Sequence, residues 1–168
     1  MIKVLPRNIA RFIILITAQI IIFNNIEFSG YINPYIYVLF LLLLPFETPK
    51  WTLLISAFLL GLSVDLFSET LGMHTAATVF MAFLRPYVLE IFSPRDGYES
   101  GTFPRVAYYG VSWFTKYAFV LILAHHLLLF YIEIFRIGGF FSTFLRVLLS
   151  VIFTLGFIVI SQFFIYRR

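Results

Sequence analysis

The sequence predicts an all-α integral membrane protein built as a bundle of six transmembrane helices. Of its 168 residues, 61% are hydrophobic and 12% are charged, whereas soluble domains average about 45–50% apolar and about 25% charged residues. Its 22 Phe and 10 Tyr are too many to hide in one soluble core of this length. The apolar runs are too long, and alternate too little, to be the strands of a membrane β-barrel.

Each predicted span is an apolar run close to the length that a bilayer requires, roughly 20 residues or fewer where the bilayer thins. Pro34 suits the first turn of the second span, and Pro45 and Pro49 suit its end. Trp51 is an interfacial anchor type, and Gly138-Gly139 predicts the last turn. The six predicted spans are about 9–28, 32–46, 51–67, 75–92, 106–132 and 141–166.

We expect one membrane domain over residues 1–168, because the chain has no internal repeat and only one sizeable polar loop, 93–105. The absence of cysteine excludes disulfides and thiolate metal sites. We expect no cofactor. The net charge of +4 does not require a nucleic-acid partner, because in a membrane protein the placement of each Lys and Arg matters more than their sum.

The placement of basic residues predicts the orientation of the bundle. Both termini and the connections on the same side carry Lys3, Arg7, Arg11, Lys50, Arg95, Arg105, Arg167 and Arg168. The other side carries only two basic residues, Arg136 and Arg146, and three acidic ones, Glu27, Glu69 and Glu133. By the positive-inside rule both termini are cytoplasmic, and the corner at 68–75 faces outward.

That corner lies in the stretch GLSVDLFSETLGMH, residues 61–74. Asp65, Ser68 and His74 are the residue types of a hydrolytic triad. However, nothing like a nucleophile elbow surrounds Ser68, and Ser and His are common at helix ends. We therefore predict no catalytic residue here.

Asp65 is better explained as a fastener of the corner, meaning a side chain that holds the two helices together by hydrogen bonds. A carboxylate near a helix C-terminus is poorly placed, because the macrodipole there is already negative. The N–H groups at the start of the next helix are unsatisfied and attract anions. Gly72 gives the backbone freedom for a sharp turn. Gly61, Asp65 and Ser68 share one helix face, which permits close packing.

Two adjacent histidines, His125 and His126, suggest a metal only at first sight. Neighbouring helical residues point about 100° apart, so they do not converge on one ion as residues at i and i+4 do. Glu133 is the only carboxylate near enough to complete a ligand set. We predict polar contacts between helices instead of a metal site.

Five charged residues fall within or beside the predicted spans. An intramembrane charge is by default a functional hypothesis. Arg85 and Lys116, however, lie in the cytoplasmic half, where long side chains reach the headgroups, and Glu90 is a candidate partner. Glu133 and Arg146 lie at similar distances from the last turn, and we expect an ion pair that contributes little to stability.

The stretch GLSVDLFSETLGMHTAATVFMAFLRPYVL, residues 61–89, resembles the rod-shape-determining protein MreD family. The family pattern is Gly, a short apolar gap, Asp, an apolar pair, Ser, a small gap, Leu-Gly and a fourth span. The positions that match it are Gly61, Asp65, Ser68, Leu71 and Gly72. The match covers about a sixth of the chain. Arg85-Pro86 departs from the uncharged fourth span that is more usual.

The resemblance implies a non-catalytic scaffold of the cell-elongation machinery in the bacterial inner membrane, needed for rod shape and lateral peptidoglycan synthesis. It implies an MreC-like periplasmic partner, the MreB filament, the RodA glycosyltransferase with its transpeptidase, and membrane lipid. The family also resembles the substrate-binding subunits of energy-coupling-factor vitamin transporters, which is the alternative. A vitamin binder needs convergent polar side chains in an outward pocket, whereas these spans offer mainly aromatic and aliphatic residues. An intramembrane enzyme is a third hypothesis.

Overall fold

The structure is a computed structural model that describes residues 4–25, 32–99, 101–134 and 140–165. All regular secondary structure within these ranges is helical. The α-helices are α1 (Val4–Ile21), α2 (Leu39–Leu42), α3 (Lys50–Ser68), α4 (Met73–Ile91), α5 (Val106–Ile134) and α6 (Phe140–Ile165). Short 3-10 turns follow α1 and precede α2, at Phe23–Asn25 and Ile36–Val38.

Four helical segments are long and apolar enough to cross a membrane: Pro6–Asn25, Lys50–Ser68, Val106–Ile134 and Phe140–Phe164. Their ends agree with the predicted spans to within a few residues where the structure describes them. The predicted turn at Gly138-Gly139 lies outside the described residues. α4 has the same length as α3, 19 residues, and packs against α3 and α5. The chain thus has the helical architecture of a membrane protein.

The predicted second span runs between the two ends of the bundle, from Asn33 beside Arg146 to Phe46 beside Tyr98, but it is not one continuous helix. Only seven consecutive residues are helical there, from Ile36 through Leu42, a length of about 10–14 Å. The hydrocarbon core of a bilayer is about 30 Å thick. Residues 37–44 are buried among the other helices. The run is apolar on every side because it is enclosed by protein instead of facing lipid on one side.

The start of this buried segment takes its hydrogen bonds from α1 and α6. The Gln19 amide donates to the carbonyl of Pro34 at 3.2 Å and accepts from the N–H of Ile36 at 2.8 Å. The N–H of Tyr35 donates to Thr154 Oγ1 at 3.0 Å. Irregular backbone at membrane depth is tolerated only where protein supplies such partners.

The end of the segment is capped by side chains of three other helices. The carbonyls of residues 42, 43 and 44 accept from Tyr117 Oη at 3.1 Å, from Arg11 Nη1 at 3.4 Å, and from Arg85 Nη2. The last carbonyls of a helix have no partner within the helix and carry its negative dipole end. Two guanidinium groups and a phenol therefore complete α2, which fixes α1, α4 and α5 around it.

Arg85 corrects a second prediction. Its side chain is 1% exposed and does not reach the interface; its Nε donates to Tyr117 Oη at 2.9 Å. Its partners are thus the α2 terminus and α5, while Glu90 is exposed further along α4. Lys116 is exposed on α5. The charge that interrupts the fourth predicted span is there because α2 ends beside it.

The bundle has two ends that are named here by their connections. The corner end holds the α3–α4 corner, residues 69–72, and the loop end holds residues 93–105. At the loop end Tyr98 stacks on Phe46 with ring centroids 4.1 Å apart and donates to the carbonyl of Leu89 at 2.6 Å. α5 bends near its start, where Gly110 has φ 80° and ψ 165°. The loop is therefore packed against the bundle by aromatic rings.

Candidate functional site: the corner and a polar chamber

Asp65 joins the last turn of α3 to the first turn of α4. Its Oδ1 accepts from the backbone N–H of His74 at 3.0 Å and from the Thr70 hydroxyl at 2.5 Å. Its Oδ2 accepts from the N–H of Thr75 at 2.8 Å and from the Thr75 hydroxyl at 2.6 Å. The carboxylate has the contacts with the start of the fourth helix that a fastener requires, and four donors converge on it.

The corner itself contains two left-handed residues. Gly72 precedes α4 with φ 79°, and Glu69 ends α3 with φ 54°. Glycine adopts this conformation freely, whereas a residue with a Cβ is strained in it. Glu69 is the one residue other than glycine with a positive φ in the described part of the chain. Glutamate thus occupies a position where glycine is the usual choice.

Gly61 permits the close approach of α3 and α4 at this corner. A Cβ on Gly61 would lie 2.7 Å from the backbone nitrogen of Thr75, and it would also collide with the Cα of Thr75 and with Thr78 Oγ1. Two of these atoms belong to the backbone, which cannot rotate away. Gly61 and Asp65 therefore act together, the first allowing the contact and the second bonding across it.

Asp65, Ser68 and His74 do not form a catalytic triad. Ser68 Oγ accepts from Asn24 Nδ2 at 3.0 Å, and the ring of His74 bonds through Nδ1 to Tyr37 Oη at 2.9 Å. Asp65 touches His74 through its backbone N–H, so it does not orient the imidazole. The arrangement lacks the serine–histidine–carboxylate relay that nucleophilic catalysis needs.

Tyr37 links the corner to the centre of the bundle. Its hydroxyl also lies 2.8 Å from His125 Nε2. His126 bonds instead to α6, with Nε2 3.1 Å from Thr154 Oγ1. The two histidines thus make the separate interhelical polar contacts that the sequence predicts. Within the described ranges, no three His, Asp or Glu side chains are grouped closely enough to hold a metal ion.

A cavity of about 480 Å³, here called the polar chamber, opens at the corner end. This volume is within the range of small-molecule sites. It lies between the end of α1, the α3–α4 corner, the end of α5 and the start of α6. The described residues that line it are Phe23, Asn24, Asn33, Tyr35, Phe67, Ser68, Glu69, Thr70, Met73, His74, Leu129, Glu133 and Arg146.

The wall of the polar chamber formed by α5 and α6 contains the predicted ion pair. Arg146 Nη1 lies 3.1 Å from Glu133 Oε1, and its guanidinium carbon lies 4.4 Å from the centre of the Phe130 ring. When the Asn33 amide is turned so that both its atoms find partners, its oxygen accepts from Arg146 Nη2 at 2.7 Å. Arg146 is therefore neutralised and held in place by its neighbours.

Sequence reasoning did not find the polar chamber. Five of its lining residues entered the sequence analysis, but in separate arguments about a triad, the orientation of the bundle and an ion pair: Ser68, Glu69, His74, Glu133 and Arg146. The chamber exists only because segments more than 100 residues apart meet at one end of the bundle. The nearest signal in the sequence is the concentration of Asn, Glu and Thr at the helix ends on one side.

Comparisons with family models, with curated proteins and with solved structures give no match to this chain. The functional interpretation therefore rests on the residues of the corner and of the polar chamber.

Proposed function

We propose that the protein is a non-catalytic membrane scaffold of the MreD type, which holds an external partner at the corner end. The observation that carries this proposal is the exposure of Leu71. Its side chain is 99% exposed at the tip of a corner that Asp65 fastens with four hydrogen bonds. A rigid corner that presents an unburied leucine is suited to contact another protein.

Rigidity matters because association costs free energy wherever a loop must become ordered. The corner is already ordered by Asp65, so a partner gains the apolar contact without that cost. Burying a leucine side chain contributes about 1.5–3 kcal/mol. Leu71 and Gly72 also belong to the motif that resembles MreD, which supports an MreC-like protein as the partner.

The further parts of the proposal rest on the resemblance. The protein acts in the bacterial inner membrane with both termini in the cytoplasm. The MreB filament, the RodA glycosyltransferase and its transpeptidase are the other proposed partners. Depletion in the native bacterium should make the cells lose their elongated form.

The direct test is co-purification with the MreC-like protein encoded by the same bacterium. Leu71→Glu should reduce the co-eluted partner at least about tenfold, because a buried unpaired charge opposes binding, and should leave the melting temperature unchanged. Ile91→Glu is the matched control, since Ile91 is 76% exposed at the opposite end of α4; it should keep the partner. Full retention of the partner by Leu71→Glu would overturn this docking surface.

The second candidate is the membrane subunit of an energy-coupling-factor type transporter. The polar chamber favours it, because it provides the convergent polar side chains that a ligand-binding subunit needs. In that case the chain should co-purify with an ATPase module, and depleted cells should keep their shape while losing uptake of a small molecule.

A further inference from the structure

We infer that the polar chamber binds a small organic cation that also carries a hydrogen-bond acceptor. The cationic group lies at Glu69, and the acceptor lies at Nε2 of His74. This inference concerns the polar chamber alone, so it applies to a scaffold and to a transporter subunit alike. It assigns a ligand to a cavity for which the scaffold proposal has no use.

The first step is the direction of the His74 ring. His74 is 5% exposed and lines the chamber. Its Nδ1 points into the bundle, toward Tyr37. The two nitrogens of an imidazole point in divergent directions, so Nε2 points away from Tyr37. Nε2 makes no hydrogen bond to any residue that the structure describes, and it is not one of the fully enclosed side-chain atoms without a partner, so it is open to a ligand in the chamber.

The second step is the tautomer, which the hydrogen-bond chain decides. The single proton of the Tyr37 hydroxyl is donated to only one of its two histidine partners. Nδ1 of His125 is buried without a partner in the described part of the chain. Buried N–H donors without a partner are rarer than buried acceptors without one. We therefore assign Nδ1 of His125 as the nitrogen that carries no proton. His125 then donates from Nε2 to Tyr37, and Tyr37 donates to His74 Nδ1.

The consequence appears at the chamber. With Nδ1 of His74 accepting, the proton of this neutral ring is on Nε2, so His74 presents an N–H donor to the cavity. The buried hydrogen-bond chain from His125 through Tyr37 to His74 thus determines that the inner part of the chamber offers a donor and binds an acceptor. A ligand needs a carbonyl oxygen or a bare ring nitrogen to meet this donor.

The third step is the charge of the lining. Arg146 is neutralised by Glu133, whereas Glu69 has no ion pair with a described residue. The described part of the lining therefore has one unbalanced negative charge, although the whole chain has a net charge of +4. Phe23 and Phe67 supply aromatic rings to the same cavity. A carboxylate beside aromatic rings is the chemistry that binds an ammonium group.

The conformation of Glu69 supports the same assignment. It holds a left-handed backbone, φ 54°, that favours glycine. Strained backbone conformations of this kind cluster at active sites and ligand-binding sites. Glu69 also lines the chamber, and it is the one acidic residue of the described lining without an ion pair to a described residue.

The probes are three small molecules that differ by one feature each. 3-(Aminomethyl)pyridine is positively charged at pH 7 and carries a bare ring nitrogen. Benzylamine keeps the charge and lacks the acceptor, and 3-pyridinemethanol keeps the acceptor and lacks the charge. Titration calorimetry on the full chain in detergent, with blank micelles subtracted, should show 3-(aminomethyl)pyridine binding at least about fivefold tighter than either of the others.

Two variants tie this binding to the chamber. Glu69→Gln keeps the size of the side chain and removes its charge, so the affinity for 3-(aminomethyl)pyridine should fall to that of 3-pyridinemethanol. Glu90→Gln changes an exposed carboxylate that does not line the chamber and should leave the affinity unchanged. Equal binding of all three probes, or an equal effect of the two variants, would overturn the inference. Loss of partner binding by Leu71→Glu is independent of these outcomes, so the scaffold proposal and this inference can fail separately.

Discussion

One carboxylate oxygen of Asp65 accepts both the backbone N–H and the hydroxyl of Thr75, at 2.8 and 2.6 Å. An N-cap side chain normally serves the first N–H groups of a helix. The N-cap position of α4 is Gly72, which has no side chain to do so. Asp65 therefore supplies the cap from the preceding helix, and in doing so it ties the two helices together.

Substitution of Asp65 should lower stability in a fixed order. Asp65→Asn keeps one acceptor oxygen but turns an NH₂ group toward a backbone N–H, so about half of the contacts are lost. Asp65→Ala loses all four and leaves buried donors unpaired, at a cost of about 1–3 kcal/mol. Melting in detergent should rank the parent above the Asn variant and the Asn variant above the Ala variant. If both variants melt like the parent while partner binding disappears, Asp65 has a direct functional role.

Gly61 and Gly156 should respond in opposite ways to the same substitution. Gly61→Ala places a methyl group against the backbone of Thr75, and such overpacking costs about 1–3 kcal/mol. Gly156→Ala meets no atom within 4 Å and should stabilise α6 by about 0.5–1 kcal/mol. The measurement is the melting temperature of both variants. A Gly61→Ala protein as stable as the parent would show that α3 and α4 can separate freely.

The long helices and the Asp65 contact could be predicted because their determinants are local. Apolar runs ended by Pro and Gly set the bounds of α3 to within a residue or two. Asp65 and Thr75 are ten residues apart, so the geometry of one corner is enough to bring them together. Local patterns of this kind are the strength of reasoning from sequence.

The burial of α2 and the assembly of the polar chamber could not be predicted in the same way. An apolar run of 15 residues fits either a thin span or an enclosed helix, and periodicity does not distinguish them. The choice depends on Arg11, Arg85 and Thr154, whose hydrogen bonds to this segment cross 32, 41 and 119 positions of the chain. No local sequence pattern predicts contacts between residues so far apart in the chain.

Arg85 and Lys116 offer a test of this long-range cap. Arg85→Met keeps the apolar length of the side chain but removes the donors to the Leu44 carbonyl and to Tyr117, at a cost of about 1–3 kcal/mol. Lys116→Met alters an exposed side chain and should change stability by less than about 0.5 kcal/mol. Chemical or thermal unfolding in detergent compares the two. Equal stability of the two variants would mean that the α2 terminus is satisfied without Arg85.

The orientation of the bundle can be tested with single cysteines, because the chain has none of its own. By the placement of Lys and Arg, the corner end faces outward and the loop end faces the cytoplasm. Leu71→Cys should therefore react with a membrane-impermeant thiol reagent in intact cells. Asp96→Cys, exposed in the loop, should react only after the membrane is opened. The reverse pattern, or labelling of both in intact cells, would contradict the predicted topology.

Glu69→Gly should separate stability from ligand binding. Glycine relieves the left-handed strain at the end of α3, so the variant should be more stable than the parent by about 1 kcal/mol. The same change removes the carboxylate of the polar chamber, so 3-(aminomethyl)pyridine should bind no better than 3-pyridinemethanol. Glu90→Gly is the matched control: it lies in the last turn of α4, where glycine relieves no left-handed strain and should not raise stability, and it leaves the chamber intact. Glu69→Gly should therefore raise the melting temperature and lose the preference for the cation, whereas Glu90→Gly should keep the cation without a rise in melting temperature. A trade of activity for stability is typical of strained functional positions. A Glu69→Gly protein that is more stable and still binds the cation would show that the strain at this corner serves no ligand.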